Sequence, residues 1–223
     1  MVKENGLRLL QTSFFSYLSA HLNSKSMTSK FFDGHNYFID EKVNLFKFEN
    51  QYKVFNDNGE NIGSINQRLS TGQKALRLLL NKAMLPFRLE IKDSNGMLIA
   101  SISRGWTFWM SNIIISSGDN QQIGSIRQKF KFFKPTFLIF NHQQTQVAEI
   151  AGDWKAWNFV INNENGGSIG AITKKWAGAM KEIFTSADKY LVNIDPSYSN
   201  MMNKVIILSA AITIDMVLKE SKN

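Results

Sequence analysis

The sequence predicts a mainly β domain: a closed barrel of about twelve strands wrapped around an apolar C-terminal helix. Three observations lead there. One hairpin pattern recurs five times through the middle of the chain. The run "KVIILSAAITIDMVLKE" (204–220) is apolar all round, as a helix buried on every side is. And a meander of this length, within 223 residues, either stacks as two sheets or closes, closure being what removes exposed edges.

The elements follow in order. Leu7, Leu10, Phe14, Leu18 and Leu22 recur at helical spacing, so residues 5–22 read as an amphipathic helix. It packs on the body of the protein or lies at a membrane interface, and its polar face holds few basic residues. No continuous apolar stretch of signal-peptide length occurs in residues 1–30. "NSKSMTSK" (23–30) reads as a polar linker. The expected division is therefore 1–30, helix and linker, and 31–223, the barrel domain.

From residue 36 the chain alternates short apolar strands with polar turns. "NYFIDEKVNLFKFEN" (36–50) reads as two strands. The hairpins are "YKVFNDNGENIGSI" (52–65), "LEIKDSNGMLIASI" (89–102), "IIISSGDNQQIGSI" (113–126), "FLIFNHQQTQVAEI" (137–150) and "FVINNENGGSIGAI" (159–172). Asn58–Gly59, Asn95–Gly96 and Asn165–Gly166 supply residues that tolerate the positive φ of hairpin turns. In "IGSI" the two Ile are three apart, so strict alternation places them on opposite faces. Either a bulge sits at the small residue, or both faces are partly covered; the small residue itself suits a close approach by another element. "STGQKALRLLLNKAMLPF" (70–87) reads as a helix ending before Pro86.

The last helix is expected over 196–220, about 37 Å at about 1.5 Å per residue. "DPS" (195–197) offers a capping Asp and a Pro suited to a first helical turn. A membrane span needs roughly 20 mostly apolar residues. Only 14 lie between Lys204 and Lys219, and Asp215 is among them. An acid at a bilayer centre costs about 2.5–3.5 kcal/mol on insertion scales. The helix is therefore expected inside the barrel, with Asp215 capped or paired, or at a wet barrel mouth.

The end of the chain resembles the phospholipid scramblases. "KKWAGAMKEIFTSADKYLVNIDP" (174–196) followed by "KVIILSAAITIDMVLKE" (204–220) carries their Lys-rich W-x-G, acidic F-T-x-A-D, strand, and apolar helix ending in I-D. Lys174, Lys175, Trp176, Gly178, Glu182, Phe184, Thr185, Ala187, Asp188, Ile214 and Asp215 match. "NYFI" (36–39) matches near the start of the family's domain, and the resemblance spans about residues 31–220. It implies a tubby-like fold, shared with the LURP-one-related proteins: a closed twelve-stranded barrel around a central C-terminal helix. It implies lipid association and transbilayer lipid movement, without enzyme catalysis. It also implies a calcium loop after F-T. Here that stretch is "SADKYLVNIDPS" (186–197), where Asp188 and Asn193 remain as donors and Leu191 stands where a Gly is wanted. A strand, with Tyr190, Val192 and Ile194 alternating, accounts for the same residues. The family's long Pro-rich N-terminal region and palmitoylated cysteine cluster have no counterpart in this sequence, which contains no Cys.

The residues alone carry little enzyme chemistry. His21, His35 and His142 sit in unrelated segments, and neither a nucleophile elbow nor a phosphate loop occurs. The net charge of +8 and pI near 9.6 favour anionic partners: phospholipid headgroups, nucleic acid or acidic proteins. "RQKFKFFKP" (127–135) holds Arg127, Lys129, Lys131 and Lys134, three Phe and no acid. It is either a strand with Phe inward and Lys solvated, or a headgroup-binding face. Lys174 and Lys175 before Trp176, and Lys74 and Arg77 in the 70–87 segment, are expected to join that surface. Three readings stand: a lipid-associated scramblase-like protein, cytoplasmic and peripheral at the inner face of a membrane; a nucleic-acid binder; and a barrel scaffold for a protein partner.

Overall fold

The structure, a computed structural model, describes residues 30–42, 51–76, 79–80, 84–106, 112–129, 135–153, 155–174 and 189–220. The expected N-terminal helix (5–22) lies outside these residues.

Twelve strands close into one antiparallel barrel. They are β1 (Asn36–Lys42), β2 (Gln51–Phe55), β3 (Asn61–Arg68), β4 (Phe87–Asp93), β5 (Leu98–Arg104) and β6 (Asn112–Ser117). The other half is β7 (Gln122–Lys129), β8 (Thr136–Asn141), β9 (Gln146–Asp153), β10 (Asn158–Asn163), β11 (Ser168–Thr173) and β12 (Lys189–Ile194). Each strand pairs with its neighbour in sequence, and β1 pairs with β12 to seal the ring. Ten strands come from the five expected hairpins. The other two are β1 and β12, whereas two strands were expected from 36–50; the described part of that segment supplies one.

All five hairpins share one turn design. The first turn residue accepts backbone N–H bonds through its side chain in four of them. Asn56 Oδ1 accepts from Asn58 N and Glu60 N, both at 3.0 Å. Asp93, Asn141 and Asn163 repeat the arrangement. One residue per turn takes positive φ: Gly59, Gly96, Asn120, Gln144 and Gly166. Asn58, Asn95 and Asn165 keep negative φ, because these are wider turns than the two-residue kind, which demands positive φ twice.

The spacing of the two apolar residues is resolved by a bulge in every hairpin. Val54 pairs with Gly63 and Phe55 with Asn61, so Ile62 is passed over. Ile99, Ile123, Val147 and Ile169 are passed over in the same way. The bulge turns both apolar residues of each motif toward one core. Close approach is present as well. A Cβ on Gly124 would meet Phe140 O at 2.6 Å and Ile206 Cγ2 at 2.7 Å.

A short helix, α1 (Thr71–Leu76), lies between β3 and β4. The C-terminal helix, α2 (Met201–Glu220), occupies the barrel interior. By length and composition α2 is apolar enough to cross a membrane. Here its Ile206, Ile207, Leu208, Ala211 and Ile214 are buried by the surrounding strands, each of the Ile and Leu side chains stabilising the fold by about 1.5–3 kcal/mol. The helix begins at Met201, not at Pro196 as expected. Asp195 Oδ1 accepts from Ser197 N at 2.8 Å and makes a turn of its own. Asn200 is the cap, accepting from Asn203 N at 3.0 Å.

Candidate functional site

Chain direction in an antiparallel ring sorts the connections to two rims. The turn rim holds residues 56–60, 94–97, 118–121, 142–145, 164–167 and the 195–200 link into α2. These segments contain Asp57, Glu60, Asp119, Glu164 and Asp195 and no Lys or Arg, and the 30–35 segment that enters β1 at the same rim adds Asp33 and Lys30. The strands open at the other end, the connection rim, onto the segments between hairpins: 43–50, 69–86, 105–111, 130–135, 154–157 and 174–188. By sequence those hold ten Lys or Arg against three acids.

Three of the sequence-predicted basic residues belong to this second rim. Lys129 is exposed at the end of β7. Lys174 follows β11, with its ammonium 4.6 Å from the centre of the Trp157 ring, a cation–π contact. Lys74 stands in α1. Lys155, exposed beside Trp157, adds a cation that the sequence reading did not single out. Arg127 points elsewhere: it lies over the Phe140 ring at 4.2 Å and donates to Gln144 Oε1 of a turn-rim loop. It thus braces the outer wall. Lys131, Lys134, Lys175 and Arg77 lie outside the described residues. Arg68 and Glu90 form an ion pair at 2.9 Å on the β3–β4 wall, close to this rim. Partial burial raises the Glu90 pKa, but the Arg68 hydrogen bond and the charges of Arg68 and Lys92 outweigh it and hold the carboxyl below its usual range.

Asp215 sits inside the barrel, toward the connection-rim end of α2, and is 4% exposed. Tyr52 at the start of β2 donates to Asp215 Oδ2 at 2.9 Å. The same hydroxyl lies 3.5 Å from Glu41 Oε1. Tyr190, at the start of β12, donates to the Ile212 carbonyl at 2.6 Å. Burial, and next the nearby Asp215, push both phenols far above the ordinary tyrosine value. Trp157 lies 5.3 Å from Tyr190, centre to centre. Lys174, Trp157, Tyr190 and α2 thus form one run of contacts from the rim to the core. Sequence reasoning found Asp215 but not these partners, since Tyr52 is 163 residues away.

Of the two candidate calcium donors, Asp188 lies outside the described residues. Asn193 sits within β12, near the turn rim, and its Nδ2 donates to Asn36 Oδ1 at 2.7 Å across the β1–β12 seam. Among the described residues no group of three or more His, Asp or Glu side chains is placed to hold a metal ion.

Comparison with known proteins follows the same lines. The family model described as Scramblase matches residues 39–221. A phospholipid scramblase family protein of Schizosaccharomyces pombe is 24% identical over 164 residues, 68% of this chain and 43% of that protein. Altered inheritance rate of mitochondria protein 25 of Saccharomyces cerevisiae is 20% identical, over 76% of this chain and 60% of that protein. Human phospholipid scramblase 1 is 25% identical, over 61% of this chain and 47% of that protein. The chain therefore spans about half the length of the curated relatives it matches. Since the family model covers most of the chain, and the twelve-stranded barrel with its internal helix is the fold expected from that resemblance, this chain belongs to the Scramblase family.

Proposed function

We propose that this protein binds anionic phospholipids at a membrane surface through its connection rim and promotes transbilayer lipid movement there. The observation that carries the reading is the gathering of Lys74, Lys129, Lys155 and Lys174 at one rim, opposite a rim where acids predominate and Lys30 is the exposed cation among the described residues. Basic residues at an anionic surface contribute about 1 kcal/mol each. Anionic lipid is concentrated in the cytoplasmic leaflet, so we place the protein peripherally at that face. The activity moves lipid; it makes and breaks no covalent bond.

The helix filling the barrel leaves lipid no path through the centre, so movement proceeds in bilayer disturbed beneath the rim. The test is transbilayer movement of a labelled phosphatidylserine in vesicles with purified protein. Faster movement supports the full reading. Binding without movement reduces it to a lipid-binding barrel. Equal binding of nucleic acid, weakening steeply with salt, favours a nucleic-acid binder instead.

A further inference from the structure

We infer that the connection rim docks end-on into the interface of an anionic bilayer, with Leu79, Leu80 and Trp106 entering the headgroup region. This rests on the lipid-binding reading above. It adds an orientation and an apolar component that charge alone does not supply.

Leu79 is 81% exposed, Leu80 41% and Trp106 54%. The two leucines lie in a turn just beyond α1, their N–H groups donating to Leu76 O at 3.0 and 2.8 Å. No residue of α1 itself is buried. Leucine and tryptophan held in water this way forgo burial that would stabilise them, and exposed apolar side chains rimmed by charge mark an interaction surface. Among the described residues the turn rim exposes Met97 and Met201 but no large aliphatic or Trp side chain.

Three features select a bilayer as the occupant. The rim's charge is predominantly positive, Lys74, Lys129, Lys155 and Lys174 outnumbering Asp153 and Glu41 at the strand ends, and so matches anionic headgroups. Tryptophan prefers the membrane–water interface, where its ring is apolar and its N–H stays wet. And by sequence all five Trp of the chain (106, 109, 154, 157 and 176) fall in segments joining strands at this rim, with none in the turn-rim segments.

That distribution supplies the assay. Intrinsic tryptophan emission of the unmodified protein includes that of Trp106 and Trp157 at this rim. Vesicles of phosphatidylcholine with phosphatidylserine are prepared with and without phosphatidylcholine brominated near the headgroup end of its chains. The expected result is a blue shift on binding and quenching by the brominated lipid. The Leu79→Glu/Leu80→Glu double variant, its changes confined to exposed positions, should keep its circular dichroism and thermal transition. It should lose vesicle affinity about tenfold or more at high salt, where charge attraction is screened. Vesicle binding without quenching, or with unchanged affinity in the double variant, overturns end-on insertion while leaving lipid binding in place. No vesicle binding at all overturns both.

Discussion

The Tyr52 hydroxyl donates to the Asp215 carboxyl at 2.9 Å, joining the first barrel hairpin to the last turns of the helix inside it. Both residues are buried, Tyr52 at 3% and Asp215 at 4% exposure. Tyr52→Phe removes a buried hydrogen bond to the carboxyl and leaves no water to replace the lost donor. Tyr52→Phe should therefore destabilise the fold by about 1–3 kcal/mol. Urea unfolding of the two proteins, compared at equal m-value, checks this.

Asp215→Leu tests where α2 resides. Removing the acid makes the helix a better membrane span by composition, but inside a barrel it only exchanges a paired polar group for an apolar one. The variant should stay soluble without detergent and keep its β-sheet circular dichroism. Accumulation as an integral membrane protein contradicts the internal helix.

Alkaline pH should unfold the barrel. Tyr37, Tyr52 and Tyr190 all have phenol pKa values raised above the ordinary 10.0, chiefly by burial. Below pH about 10 both folded and unfolded chains keep these protons, and the contribution is complete. Above it the unfolded chain releases protons that the folded barrel retains, so stability falls as pH rises. Absorbance titration should show these tyrosines ionising together with loss of structure. Full, reversible ionisation in an intact fold contradicts their burial.

Gly124→Ala should cost about 1–3 kcal/mol, since its Cβ would press on Phe140 O and on Ile206 of α2. Gly72→Ala, with nothing within 4 Å of the added carbon, should leave thermal stability unchanged or slightly raised. A pair of thermal melts measures the contrast.

The barrel was legible because its signals are local. Each hairpin carries its own polar turn and apolar flanks, and repetition five times over makes the pattern plain. α2 was legible by its uniform apolarity. What failed or stayed open depended on pairing. The register skips at Ile62, Ile99, Ile123, Val147 and Ile169 are set by partner strands, so sequence left a bulge and a two-faced strand equally open. The helix start moved to Met201 because Asp195 closes a turn with Ser197 instead of capping α2. The rim was half legible. The Lys residues stood out by charge, but only chain direction in the closed ring shows that Lys74, Lys129 and Lys174 share one end while Asn193 lies near the other. Lys155, Leu79, Leu80 and Trp106 were missed; the placement of every Trp between hairpins was the signal available for the last.

The most direct test of lipid binding by the connection rim is flotation of detergent-free protein with neutral or anionic liposomes, at low and high salt, with and without calcium. The prediction is flotation with anionic liposomes at low salt, weakened by salt and reduced when Lys129, Lys155 and Lys174 are changed together to Gln. Failure to float with any lipid under any of these conditions would contradict it and turn the search to nucleic acid and protein partners.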